Sequence, residues 1–284
     1  MTDHIKRKKL DIAYAGLSPA QRLDVYLPDD GAGPFPVIMS FHGGAFMGGD
    51  KADAQVMPML EGLGRGYAVV AVNYRLSGEA RFPALVHDAK AAVRWVRANA
   101  RRNNMDAGRI AAWGGSAGGY LAAMLGTSAG VAKLEDLSLG NPEQPCEVQA
   151  VVDWFGPTDF LKMDEQLSQS GFASPPGQEH NSDGSPESLL LGQRIAEIPE
   201  LVRAANPETY IRQVGPPFLI QHGALDAVVP IQQSRDLAAK LRAAWGADRV
   251  TIDVLKAAGH GDPQFEASPN VRRVLDFLDV HLKG

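Results

Sequence analysis

The chain has 284 residues, of which 45% are hydrophobic and 21% charged, and its formal net charge is −5. That length and composition suit one large globular core that needs no staple, and the acidic balance without an extended basic tract argues against a nucleic-acid partner. The single cysteine, Cys146, excludes an intrachain disulfide and fits a reducing compartment; set between Pro145 and Glu147, it reads as an inert structural thiol.

The opening residues, MTDHIKRKKLDIAYAG, show neither an apolar h-region nor a cleavage pattern. No later stretch approaches a membrane span, so a cytoplasmic location without a membrane partner is expected. The basic run Lys6–Lys9 reads as a solvated start. Leu10–Ala15 and Arg22–Leu27 alternate apolar with polar residues, as half-buried antiparallel strands do. Pro36–Phe41 and Tyr67–Asn73 are continuous apolar runs, as expected of strands buried on both faces. Ala54–Gly64 between them reads as a helix. Pro83–Arg101 reads as another, with Leu85, Ala89, Ala92, Val93 and Val96 near helical spacing.

Arg109–Trp113 is a short apolar strand, followed by a glycine-rich turn and a helix over Tyr120–Gly126. Val148–Phe155, Pro217–His222 and Val250–Leu255 read as further strands, with helices over Ile231–Ala244 and Val271–Leu282. No internal repeat interrupts the series. Strands alternating with helices predict an α/β fold, with a mostly parallel central sheet covered by helices on both faces. One segment breaks the rhythm, at about 164–205. It joins a Pro, Gly and Ser-rich part to the apolar run ESLLLGQRIAEIPELV. The expectation is a single domain over 1–284 carrying a cap insertion there, too short for a core of its own. Leu189, Leu190, Leu191, Ile195 and Ile198 would then wall a pocket beneath it.

Four motifs carry chemistry. GGSAGG at 114–119 contains G-x-S-x-G between a strand and a helix. There a serine sits on a strained turn whose neighbours must be small, with its Oγ raised above the sheet, which makes Ser116 the candidate nucleophile. No lysine follows the glycines, so a phosphate-binding loop is excluded. HGGAF at 42–46 follows a core strand and can supply N–H donors for an oxyanion. The candidates are Gly43, Gly44 and Ala45 together with Ala117, and Gly44 and Ala117 are favoured. HGALDAVVP at 222–230 places Asp226 just past another strand, where a carboxylate can orient a base; Asp153 and Asp159 compete with it. AAGHGD at 257–262 puts His260 between glycines after the last strand. His42 and His222 suit structural roles in their loops, and His4, His87, His180 and His281 lie in less suitable places. Ser116, Asp226 and His260 thus follow one another as nucleophile, acid and base. No Cys/His cluster has metal-ligand spacing, so neither metal nor cofactor is expected.

These motifs resemble those of the α/β-hydrolase fold, and HGGAF, GGSAGG, HGxxDxxVP and AGHG together are similar to its esterases and lipases. The chain is most like the bacterial carboxylesterase branch with feruloyl-esterase-like and acetyl-xylan-esterase-like members, near the hormone-sensitive-lipase branch. RLDVYLP, FPALVHDAKAAVRWVRANA, FGPTDF and NPETYI extend the likeness from about Leu23 to His281. The resemblance implies a serine carboxylesterase acting on small-molecule, short-acyl esters through an acyl-enzyme. Two departures stand out: Ala45 where relatives often carry a third glycine, and Ala224 where many carry aspartate. An aryl-formamidase or peptidase using the same triad, and a ligand-binding protein without catalysis, are the alternatives. The last strand and closing helix offer an edge for a homodimer.

Overall fold

The computed structural model describes residues 2–284. Eight strands form one sheet in the order β1-β2-β4-β3-β5-β6-β7-β8. They are β1 Lys8–Ala13, β2 Arg22–Tyr26, β3 Phe35–Phe41, β4 Ala68–Val72, β5 Met105–Gly115, β6 Ala150–Trp154, β7 Phe218–Gly223 and β8 Val250–Leu255. β1 and β2 pair antiparallel, β2 joins β4 antiparallel, and all later pairs are parallel. The helices are α1 Met57–Leu60, α2 Ala84–Asn99, α3 Ala117–Thr127, α4 Met163–Gln169, α5 Pro186–Leu191, α6 Pro199–Ala205, α7 Gln232–Trp245 and α8 Ser268–Leu282. This is the mostly parallel, doubly covered sheet of the α/β-hydrolase fold.

Every residue of β3, β4, β6 and β7 is buried, as strands covered on both sides require. The two-residue period of a strand divides them between two cores. Val37, Met39, Val70, Ala112, Val151 and Ile220 face α2, α3 and α7. Ile38, Val69, Ala111, Trp113, Val152 and Leu219 face α1 and α8. Lys90 and Arg94 are fully buried on α2 and bind loop carbonyls: Lys90 Nζ donates to Ser128 O at 2.6 Å and Arg94 Nη2 to Asp136 O at 2.7 Å. They tie down the connection that follows α3.

The structure corrects three expectations. The basic run is not a free start: Lys8 and Lys9 pair with β2 as part of β1, and Lys9 Nζ donates to Asn103 Oδ1 at 2.7 Å. The helix expected over Ala54–Gly64 is broken into a 3-10 turn at Ala54–Val56, α1, and a second 3-10 turn at Glu61–Arg65. Pro58 has no N–H to donate, and Gly62 and Gly64 weaken the next turn. β5 begins at Met105, before the apolar stretch that marked it.

The segment 164–205 contributes most of α4 and all of α5 and α6. Ser185 caps α5 by accepting the Ser188 N–H at 3.0 Å. Leu190, Leu191, Ile195 and Val202 are buried in the same core cluster as Phe46, Tyr120 and Phe160. Burying a side chain of that size contributes about 1.5–3 kcal/mol. The apolar side of the segment therefore points down into the core.

Candidate active site

The loops that follow β3, β5, β7 and β8 meet at the carboxyl edge of the sheet, where open α/β sheets gather their ligands. β5 ends at Gly115 and α3 starts at Ala117, so Ser116 alone makes the turn, at φ 56° and ψ −121°. A side chain held at positive φ is strained, and packing must over-determine it. Here the Ser116 N–H donates to Trp154 O at 2.9 Å, and a Cβ added at Gly118 would lie 2.0 Å from Phe41 O. That close approach of α3 to β3 requires the glycine and lifts Ser116 Oγ above the sheet.

The sequence candidates for nucleophile, base and acid come together. His260 Nε2 is 3.0 Å from Ser116 Oγ, and His260 Nδ1 is 2.8 Å from Asp226 Oδ2. With Nδ1–H donating to the carboxylate, Nε2 is left as acceptor for the serine hydroxyl. The Phe155 ring packs edge-on against the imidazole at 4.8 Å between centroids.

Asp226 is buried, and each of its oxygens is engaged. Oδ1 accepts the N–H groups of Val228 and Val229, both at 2.9 Å, while His222 Nε2 stands 3.2 Å from Oδ2 beside the bond from His260. Burial by itself would raise this carboxyl, but the hydrogen bonds from His222 and His260 prevail and hold it well below the usual carboxylate range. Asp226 therefore stays ionised next to the imidazole. His222 is the partner that sequence reasoning undervalued. Its Nδ1 meets Ser234 Oγ at 2.7 Å and its Nε2 donates to Val229 O at 2.8 Å, so it ties the acid loop to α7. Its place four residues before Asp226 in HGxxD is the signal that could have found it.

The competing residues lie elsewhere. Asp159 pairs with Lys162 at 3.1 Å. Asp153 is fully buried in β6; burial pushes its carboxyl up to about 6 against the opposing pull of the Gly156 N–H and His222, and its Oδ2 has no partner among the described residues. His42 is buried, stacked on Tyr74 with centroids 4.5 Å apart, and its Nδ1 donates to Gly43 O at 2.8 Å. Burial lowers its pKa, although the Gly43 carbonyl works the other way. His180 Nε2 donates to Val228 O at 3.0 Å and so connects the insertion to the acid loop. Cys146 is buried with its thiol on Glu135, and burial raises it to about 11, which leaves it unreactive.

The candidate oxyanion amides do not behave alike. The Gly43 N–H donates to Gln55 Oε1 at 2.7 Å, which withdraws it from the set of four. Gly44 lies at φ 119° with a would-be Cβ 2.2 Å from Gly48 O, so only glycine fits. Ala45 follows at φ 54°, a conformation that explains why a glycine is common there and that costs a side chain roughly 1 kcal/mol. The Gly44 and Ala45 N–H groups make no hydrogen bond among the described residues. The Ala117 N–H opens α3 and has no intrahelical partner.

Beside Ser116 opens a cavity of about 380 Å³. Phe41, Met59, Trp154, Phe155 and Phe265 wall it, with Gln55 and Glu266 as polar members. None of its lining residues comes from 164–205. The expectation that Leu189, Leu190, Leu191, Ile195 and Ile198 wall the pocket is therefore overturned: α1 and the loops after β6 and β8 take that place. Among the described residues, no group of three His, Cys, Asp or Glu side chains could hold a metal ion, and no helix is long and apolar enough to cross a membrane.

Comparison with known proteins places this geometry in a family context. The BD-FAE family matches residues 23–241. Esterase LipC of Mycobacterium tuberculosis is 32% identical over 272 residues, 94% of this chain and 64% of LipC. The chain spans about half to two thirds of the length of the curated relatives it matches. A solved truncated form of a carbohydrate esterase from gut microbiota is 32% identical, with a TM-score of 0.86 over 100% of this chain and 99% of that one. Esterase 2 of Thermogutta terrifontis, phosphonylated by sarin, is 26% identical with a TM-score of 0.76, covering 99% of this chain and 98% of that one. The same esterase with butyrate bound is 25% identical with a TM-score of 0.74, covering 99% and 96%.

Proposed function

We propose that this chain, which belongs to the BD-FAE family, is a serine carboxylesterase that hydrolyses short-acyl esters of small molecules. The observation that carries the proposal is the unbroken line Ser116 Oγ, His260 and Asp226, at 3.0 and 2.8 Å, opening onto a cavity beside unengaged backbone amides. In this reading Ser116 Oγ attacks the ester carbonyl while His260 Nε2 takes its proton. Asp226, held ionised, stabilises the imidazolium. The N–H groups of Gly44 and Ala117 receive the charge on the carbonyl oxygen. His260 returns the proton to the departing alcohol, leaving an acyl group on Ser116. Water then attacks the acyl-enzyme with His260 again as base, and the acid is released.

The cavity sets the acyl preference. Aromatic walls line it, and we read an acetyl to butyryl preference, which the butyrate bound in the Thermogutta esterase supports. Esters of sugars are natural candidates, because one relative matched along nearly its whole length, at 32% identity, is a carbohydrate esterase. We read the chain as one domain in which 164–205 braces the acid loop through His180. A cytoplasmic site of action and a homodimer across the open edge of β8 complete the proposal; cell fractionation and analytical ultracentrifugation test them.

The decisive experiment combines two measurements on the full chain. Nitrophenyl esters of rising acyl length are assayed beside acetylated sugars, a formanilide and a peptide anilide, and an organophosphate is applied and its attachment site mapped. Ester hydrolysis peaking at short acyl groups, with Ser116 labelled, is expected. Faster cleavage of the formanilide or the peptide anilide would move the assignment to a formamidase or a peptidase. Absence of both turnover and labelling would leave a ligand-binding protein.

A further inference from the structure

The peptide units around Gly43 are held in a way that assigns a task to a residue in none of the motifs. The His42–Gly43 peptide is fixed at both ends: its carbonyl accepts the Tyr74 hydroxyl at 2.8 Å and its N–H donates to Gln55 Oε1 at 2.7 Å. In the next peptide the Gly43 carbonyl accepts His42 Nδ1–H at 2.8 Å. A trans peptide is planar, with its N–H opposed to its C=O. Once the Gly43 carbonyl is turned to His42, the Gly44 N–H must point the other way. Three of the four polar ends of these two peptides are thus occupied, and the one left open is the amide favoured as an oxyanion donor.

Two of the three clamps, His42 and Tyr74, are buried beneath the loop. The third stands apart from them. Gln55 belongs to the 3-10 turn at Ala54–Val56, is exposed, and lines the cavity together with Met59 of α1. We propose that Gln55 is a positioning residue for the oxyanion hole: by engaging the Gly43 N–H it removes that amide from the loop's donors and couples the aim of the adjoining Gly44 N–H to the wall of the acyl cavity. This rests on the esterase reading above. Without Gln55 the Gly43 amide is free to take a water or to compete for the carbonyl oxygen, and the loop loses a side-chain tie to the cavity wall. Preorganised donors act on the charge that develops in the transition state, so the loss falls on kcat and not on KM.

The test compares the wild-type chain with Gln55→Met, which matches the side chain in length but removes the acceptor, and with Gln55→Glu, which keeps an acceptor. For a nitrophenyl butyrate assay the Met variant should lose roughly tenfold to a hundredfold in kcat with KM nearly unchanged, a smaller cost than deleting a donor outright. Its affinity for an alkylboronic acid, which turns tetrahedral on the serine, should fall in parallel. The Glu variant should keep more of kcat than the Met variant. Wild-type kcat in Gln55→Met, or a loss confined to KM, overturns the assignment. If Gln55→Met also melts earlier than wild type, the Glu variant decides: recovered kcat supports positioning, and no recovery defeats it. A wild-type chain that neither turns over esters nor accepts the organophosphate would sink the esterase reading itself, a result distinct from an active enzyme indifferent to Gln55.

Discussion

The carboxyl edge of the sheet and the 164–205 segment are built on opposite principles. At the edge, loops hold the polar groups of the triad and its support: both oxygens of Asp226, both nitrogens of His260 and both ring nitrogens of His222 are engaged. In the segment, short helical turns carry apolar side chains, and Leu190, Leu191, Ile195 and Val202 among them are buried in the core. Position above the sheet's carboxyl end does not by itself make a segment part of the pocket. What matters is where its side chains are satisfied. Polar groups that need specific partners disclose their place, while apolar ones can be satisfied by any dry surface.

The sharpest way to break this contrast is at the edge. Ser116→Ala should lower kcat by about 10⁴–10⁶-fold with the fold intact, and Asp226→Asn by about 10⁴-fold through the wrong imidazole tautomer. Asp159→Asn, which loses only its pair with Lys162, should stay within a few-fold of wild type. An active Asp226→Asn beside an inactive Asp159→Asn would reverse the acid. His260→Ala should lower kcat about as far as Ser116→Ala, and a His260→Ala variant with wild-type activity would remove His260 as base. Asp226 keeps its charge through mild acid, since its carboxyl lies well below the usual range.

The segment makes the complementary prediction. Leu190→Ala or Ile195→Ala should cost about 2–5 kcal/mol in unfolding free energy, the usual range for buried aliphatic truncation. The acyl-length profile of the folded fraction should not change. A shifted optimum without loss of stability, in denaturant melts and nitrophenyl-ester panels, would restore the segment to the pocket wall.

A third prediction separates two buried carboxylates of the same edge. Asp226 is surrounded by donors; Asp153 has one oxygen on the Gly156 N–H and the other bare, and burial lifts it to about 6. A carboxyl whose folded pKa exceeds its unfolded value contributes stability that is full below the unfolded value and lost as pH rises through the folded one. Asp153 therefore weakens the fold progressively between about pH 4 and 6, by an amount on the order of 3 kcal/mol. Asp153→Asn keeps an oxygen for Gly156 and cannot ionise. Its stability relative to wild type should rise across that window, and a difference independent of pH in urea melts would contradict the buried charge.

Much of this architecture is legible in the sequence for physical reasons. β3, β4 and β7 fall within a residue of their apolar runs, because strands buried on both faces leave continuous signals. Ser116, Asp226 and His260 were identifiable because each lies just past a strand, among small or turn-forming residues. The missing parts depend on contacts between separate turns. Gln55 lies 12 residues from Gly43 in a helix that breaks up, and a lone glutamine there carries no pattern. Leu190 and Ile195 were legible as apolar but not as to the surface they would meet. Lys8 and Lys9 read as solvated because a charge run says nothing of an antiparallel partner that pairs with it at the sheet edge.

The smallest effect tests the cavity's mouth. Glu266 is the only acidic residue among the cavity's lining residues, and it is exposed there. Asp226 is buried in its network of donors and does not face the opening. An exposed charge acts weakly across water and is screened within about 8 Å at physiological salt, so its influence is confined to groups that reach the mouth. A hemisuccinate nitrophenyl ester brings a carboxylate to that mouth; a butyrate ester of similar length does not. Wild type should therefore prefer the butyrate, and Glu266→Gln should narrow the ratio of kcat/KM values by about two- to fivefold, with the neutral ester nearly unaffected. High salt should narrow the wild-type ratio in the same direction and leave the variant's ratio almost unchanged. A ratio untouched by both the substitution and the salt would mean that the acyl chain ends before the mouth, and would place the wall of the pocket at Phe265 and Met59 instead.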